Sequence, residues 1–350
     1  MSRDRTRDPG AMGMYGAIER YLRQREVDSE SSSLSTWRYQ LKLFAEWTEK
    51  IGIEQVGELR GYDIDDWYSM RASEVAPSTL EGEMWTLKMF VKFLERREAV
   101  SDGLADKVQI PDVDAEDRSS DEQWPTAEAL TMLRYHRTTP ESYATREHAL
   151  LELQWTTGAR LGGIRALDLR DVFIDDGYVH FRDRPDTGTG LKNDRAGERP
   201  VALPPSTATV LHDWLQNRPD MHDEYGRAPF LPSQRGRPTE NTIRMWTYVA
   251  TLPCKHSPCP HGNERTTCDF TTSKTASKCP SSRSPHPIRT GSISWQLDIG
   301  LPPWVVAERV NAGVDVIEEH YDKTPPRERM ERRRRPFITD LEADLEDPNT

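Results

Sequence analysis

The chain has 350 residues, with 58 acidic against 47 basic side chains and a net charge of −11. That length supports two domains, each able to build its own core. No apolar run reaches the roughly 20 residues a membrane helix requires, and the first residues carry no apolar signal region, so a cytoplasmic protein with no membrane partner is expected.

Residues 1–13 are polar, with Pro9, Gly10 and Gly13, and read as a disordered arm. Helical spacing then begins at Tyr15, Ile18 and Leu22. A second helix places Leu34, Trp37, Leu41, Phe44 and Trp47 on one stripe and stops at Gly52. The third, Asp63 to Ala72, carries Ile64, Trp67 and Met70. The fourth opens on Ser78-Thr79-Leu80-Glu81, a capping-box pattern, and continues through Met84, Leu87, Phe90, Val91 and Leu94. These make a small all-α domain over 14–110, whose aromatic stripes read as core. The pattern collapses from Ala99 onward, and 111–125 reads as a linker.

A second domain is expected over 126–335. Thr126 is placed to cap a helix with Leu130 and Leu133 inward. A further helix over Arg146 to Trp155 ends at Thr157-Gly158, and the next brings Arg160, Ile164 and Leu167. Val172–Ile174 and Tyr178–Phe181 flank Asp175-Asp176-Gly177, a hairpin signal, and a third strand lies near Pro200–Leu203. Helices resume with Val210, Leu211 and Trp214, then Ile243, Trp246 and Val249. Residues 253–285 break all periodicity. Helix returns near Thr290, pauses at Pro302-Pro303 and resumes through Tyr321. A basic helical segment, Arg327 to Arg335, precedes an acidic tail over 336–350. The fold class is therefore mainly α, with a small antiparallel sheet in the second domain.

The acidic balance argues at face value against nucleic acid. It also fits adaptation to high salt, and an acidic exterior is compatible with a local Arg-rich groove. Local basic groups are Arg134 and Arg137, Arg195 and Arg199, Arg235 and Arg237, and Arg332 to Arg335.

Five side chains have the chemistry of phosphoryl transfer: Arg160, Lys192, His286, Arg289 and Tyr321. Two guanidinium forks hold the non-bridging oxygens of a phosphodiester and offset the charge of its transition state. A tyrosine is a suitable nucleophile where a covalent ester is stored and then reversed. Lys and His supply proton transfer.

The order of these residues resembles the tyrosine recombinase (phage integrase) family. The first box is Thr157-Gly158-Ala159-Arg160-Leu161-Gly162-Gly163, the second His286-Pro287-Ile288-Arg289-Thr290-Gly291, and the nucleophile lies in Glu319-His320-Tyr321-Asp322. The family carries a lysine in a β-hairpin turn between the boxes, which Lys192 of Gly190-Leu191-Lys192-Asn193 matches. Lys192-Asn193-Asp194-Arg195 and Arg309-Val310-Asn311-Ala312 look like the integrases of haloarchaea, in keeping with the acidic composition.

The resemblance implies an N-terminal four-helix, SAM-like core-binding domain and an α-rich catalytic domain that together clamp double-stranded DNA. It also implies a 3′-phosphotyrosyl intermediate, no cofactor for catalysis, and a homotetramer on paired sites, with the Arg-rich segment after Tyr321 docking on a neighbouring protomer. One position departs. The family has His or Trp nine residues before the nucleophile, where this chain has Ala312, so Asn311 is the alternative donor. That departure leaves open a catalytically weakened or inactive DNA-binding protein of the same fold, regulating a mobile element.

The remaining motif is the group Cys254, Cys259, Cys268 and Cys279, with His256 and His261 among them. Thiolates and imidazoles at short spacing suit tetrahedral zinc, and four of Cys254, Cys259, His261, Cys268 and Cys279 are expected to hold a structural zinc.

Overall fold

The computed structural model describes residues 8–26, 31–113, 122–322, 324–335 and 338. The chain divides into two compact units, Met1–Ser120 and Asp121–Thr350.

The first unit is built on α1 (Met14–Arg25), α2 (Ser31–Lys50), α3 (Gly61–Ala72) and α4 (Pro77–Glu95). Leu22, Leu41, Phe44, Leu87 and Phe90 are buried between them. The aromatic stripes meet edge to face: Tyr21 lies 5.3 Å from Phe93, and Phe44 5.4 Å from Trp67. Arg71 of α3 forms a bidentate pair with Glu83 of α4, at 2.8 and 2.7 Å.

Three local expectations change. Helix α4 starts at Pro77, with Ala76 at its N-cap and no side-chain cap, because proline's missing N–H and fixed φ suit the first turn. Ser78 therefore lies inside the helix and forms no capping box. Residues 8–13 of the expected arm are docked: the Asp8 carboxylate accepts from Gly10 N, Gly10 is buried, and Met12 O accepts from Val56 N. The first seven residues of that arm lie outside the described residues. Ala99, Val100, Leu104, Ala105 and Val108 are buried in this unit's core, although their spacing carries no helical period.

The second unit is organised around α6 (Arg146–Thr157) and α10 (Pro285–Asp298). Helix α5 (Thr126–Thr138) is capped by Pro125 rather than by a Thr126 side chain. It buries Ala129, Met132, Leu133 and His136, and leaves Leu130 39% exposed. In α6 every residue from His148 to Thr157 is buried, which is why its hydrophobic period is weak in the sequence. Glu152 at its centre is bonded by Arg137, His148 and Thr207. Helix α10 packs closely because of Gly291: a Cβ there would lie 2.3 Å from Trp124 O and 3.1 Å from the Trp155 ring.

The short α7 (Leu161–Ala166) leads to an antiparallel sheet of β1 (Val172–Phe173), β2 (Tyr178–Phe181) and β3 (Arg199–Ala202). Val179 pairs with Val201, and Phe181 with Arg199. Helices α8 (Pro205–Asn217), α9 (Glu240–Ala250) and α11 (Pro303–Val310) complete the unit.

The expected helix from Pro303 through Tyr321 is broken. Asn311 caps α11 with φ +53°, and a single turn, Val314–Val316, passes into a π-type turn at Ile317–Tyr321. The basic segment beyond folds back on its own chain: Arg333 bonds Asp298 and Asp322, and Arg329 pairs with Asp322. Of the acidic tail only Ile338 is described. Among the described residues no helix is long and apolar enough to cross a membrane.

Candidate active site

The C-terminus of α6 and the N-terminus of α10 deliver the two boxes to one place. Gly158 ends α6 with φ +57°, the left-handed cap conformation that glycine adopts at least cost. The turn sets Arg160 at the N-cap of α7, while α10 begins at Pro285 rather than near Thr290. His286 and Arg289 are thus in its first turns, with Arg289 aimed inward.

Arg289 is 4% exposed. Its Nη1 donates to Gly158 O at 2.5 Å and Val310 O at 2.9 Å, and its Nε donates to the Tyr321 hydroxyl at 3.3 Å. Its Nη2 is buried with no partner. Burial lowers the pKa of this guanidinium; the Tyr321 hydroxyl opposes the shift and Arg160 adds to it. Arg160 Nη1 donates to Asn311 O at 2.5 Å. Main-chain carbonyls therefore hold both forks, and neither arginine has a carboxylate partner among the described residues.

Tyr321 is 8% exposed, and Ser294 Oγ donates to its carbonyl at 3.0 Å. The His286 ring lies 5.9 Å from the Tyr321 ring, tilted by 51°. Burial of its inner face lowers the His286 pKa; Arg289 lowers it further, and Glu122 pulls the other way.

Lys192 comes from the loop between β2 and β3. The Asp183 carboxylate accepts from Leu191 N at 2.7 Å, and the Leu191 side chain is buried in the core. Those anchors leave Lys192 exposed. Arg160, Lys192, His286, Arg289 and Tyr321 line one cavity of about 330 Å³.

Asn311, the sixth expected residue, is placed differently. Its side-chain oxygen accepts from Asn193 Nδ2 at 3.2 Å, and its carbonyl orients Arg160. It is absent from the cavity wall, as is Ala312. Two arginines join the site without a motif to announce them. Arg199 is held at a pKa of about 9 by burial and by Arg289 and Arg160; its Nε donates to Arg309 O. Arg244 of α9 lines the cavity itself.

Most of the other basic groups are spent on ion pairs: Arg137 on Glu152, Arg237 on Asp168 and Asp223, and Arg332 and Arg333 on Asp298. The cysteine segment also departs from expectation. Cys254, Cys259, His261, Cys268 and Cys279 line a shared cavity of about 190 Å³. Among the described residues, however, no three His, Cys, Asp or Glu side chains are close enough to hold a metal ion, and all four cysteines are free thiols. His261 pairs with Ser281 Oγ at 3.0 Å instead. Short sequence spacing is not sufficient for zinc, because the ligands must also converge on one tetrahedral point.

No protein-family model matches the chain. It is 32% identical over 101 residues to tyrosine recombinase XerC of Neisseria meningitidis, 29% of each chain. It is 23% identical over 177 residues to XerC of Xanthomonas campestris, 50% of this chain and 53% of that one. The chain thus matches about half or less of those relatives' length. The Tn1549 transposon integrase, solved with circular intermediate DNA, is similar at a TM-score of 0.61 and 12% identity, over 95% of this chain and 99% of that one. At that identity the likeness is one of fold.

Proposed function

We propose that this chain, similar to the tyrosine recombinases XerC and alike in fold to the Tn1549 integrase, is a site-specific DNA recombinase that cuts and rejoins duplex DNA through a 3′-phosphotyrosyl intermediate. One observation carries the reading. Arg289 has all but one nitrogen engaged by the protein beside the Tyr321 hydroxyl, and its Nη2 is left buried and unpartnered. An orphaned buried donor carries a cost that a ligand oxygen removes. A phosphodiester oxygen placed there lies next to the nucleophile.

In the step we propose, Tyr321 Oη bonds to phosphorus as the bond from phosphorus to the 5′ oxygen breaks. His286 takes the phenol proton, and its lowered pKa keeps it neutral at pH 7. Lys192 protonates the departing 5′ oxygen. Arg160 and Arg289 offset the charge on the non-bridging oxygens. Both forks are pre-positioned by carbonyls, so they need no rearrangement as that charge grows. A free 5′ hydroxyl reverses the step, and the ester conserves the bond energy. By family resemblance, four copies act on two paired sites.

A second reading is a DNA-binding regulator without catalysis. Ala312 and the engaged Asn311 side chain favour it, since a lost charge-assisted donor costs about 1.5–3 kcal/mol. A nicked duplex that traps the intermediate decides between them. The enzyme gives a covalent protein–DNA adduct that is absent in Tyr321→Phe while binding persists. Binding by the wild-type protein with no adduct on any nicked substrate supports the regulator and overturns the enzyme.

A further inference from the structure

Among the described residues, Arg244 is the one cation on the wall of the active-site cavity that the reaction above does not use. It lies on α9, between Ile243 and Trp246, which are both buried, and Arg146 stacks on Trp246 at 3.8 Å. Thr239 caps the helix by accepting from Thr242 N. The helix is therefore fixed, and Arg244 projects from its exposed side at the cavity rim. It makes no hydrogen bond or ion pair among the described residues. That is unusual in a chain of charge −11, where Arg71, Arg137, Arg184 and Arg333 all hold carboxylates.

We propose that Arg244 binds the DNA-backbone phosphate next to the scissile one. The proposal rests on the reading of this cavity as a phosphodiester site. Arg160 and Arg289 are anchored by main-chain carbonyls, as suits donors aimed at the one phosphate where charge develops. Arg244 has no such anchor and remains in solvent. An unanchored guanidinium suits a phosphate whose charge stays constant through the reaction. Such a contact strengthens binding equally in ground and transition states, so it lowers the dissociation constant more than it raises the rate of the bound complex. It also neutralises one phosphate, which adds about 0.9 to the dependence of log affinity on log salt.

The probe is a nicked duplex selected from a pool randomised around the nick, by covalent capture on the full-length wild-type protein. Affinity for that duplex is measured in the Tyr321→Phe background over a salt series. Arg244→Ala is expected to weaken binding about five- to tenfold and reduce the salt slope by about 0.9, with Arg244→Lys retaining the slope. Adduct formation at saturating DNA should fall by less than about threefold. When the phosphates beside the nick are replaced one at a time by neutral methylphosphonates, the Arg244→Ala penalty should vanish at one flanking position.

An unchanged affinity and slope overturns the proposal. So does a penalty that persists with every methylphosphonate duplex, or a tenfold loss of rate at saturating DNA, which would place Arg244 on the scissile phosphate. If the wild-type protein captures no duplex covalently, the catalytic reading fails; the Arg244→Ala comparison is then made on a duplex selected by binding alone, where an unchanged affinity and slope still overturns the proposal, so the two failures are distinct.

Discussion

Replacing Arg289 by Lys preserves the charge and removes the fork. The native guanidinium makes three hydrogen bonds, to Gly158 O, Val310 O and the Tyr321 hydroxyl, and leaves Nη2 buried without a partner, where the proposed reaction places a phosphate oxygen. A lysine ammonium has three donors on one atom. If all three stay with the protein, the phosphate loses a charge-assisted bond of about 1.5–3 kcal/mol. If one turns to the phosphate, a buried carbonyl is left unsatisfied at about 1–3 kcal/mol. The first case slows adduct formation about 10- to 150-fold. The second lowers the melting temperature by about 2–8 °C for a unit of this size. Single-turnover trapping on a nicked duplex measures the rate, binding in a Tyr321→Phe background measures affinity, and calorimetry measures stability. A variant within threefold of wild type in rate, with unchanged melting, would refute the assignment of Nη2 to the phosphate.

Gly158→Ala should destabilise the second unit by about 1–2 kcal/mol for the left-handed backbone alone, and by more because its Cβ would lie 2.8 Å from Val310 Cγ1; chemical denaturation reads the loss. Glu152 titrates against burial: burial raises its pKa, and bonds from His148 and Arg137 overcome that and hold it at about 2, against an ordinary 4.5. Its contribution is therefore fully present above pH 4.5 and lost as pH falls toward 2. It amounts to about 3 kcal/mol, which Glu152→Gln should remove from the acid-unfolding curve. The His286 pKa is lowered, so the neutral imidazole persists below pH 6.5 and is lost only at lower pH. Adduct formation should show an acid limb with its midpoint below 6.5, and His286→Gln should abolish that limb.

The helices of the first unit were legible because each buries one face, so Ile18 and Leu22, Leu41 and Phe44, and Leu87 and Phe90 recur three or four residues apart. Helices buried all round are harder to read. Every residue of α6 from His148 to Thr157 is inside, and α10 is five residues longer at its N-terminus than its apolar pattern suggests. The break at Asn311 carried only a weak signal: asparagine is one of the few non-glycine residues that tolerate the left-handed conformation, but it adopts that conformation only where the packing around it requires. Leu130 faces out and Gly10 in for the same reason: which face is covered depends on what packs there.

The sequence by itself determined the class of fold and singled out Arg160, Lys192, His286, Arg289 and Tyr321 as candidates, because their types, order and spacing form a recognisable set. Only the tertiary structure decided that all five line one cavity, that Asn311 turns to Asn193, and that Arg199 and Arg244 join the cluster. Only it decided that the cysteines share a cavity without converging as metal ligands. The reason is physical. A side chain's chemistry is local and survives in the sequence, whereas direction, burial and the absence of a partner are properties of everything packed around it.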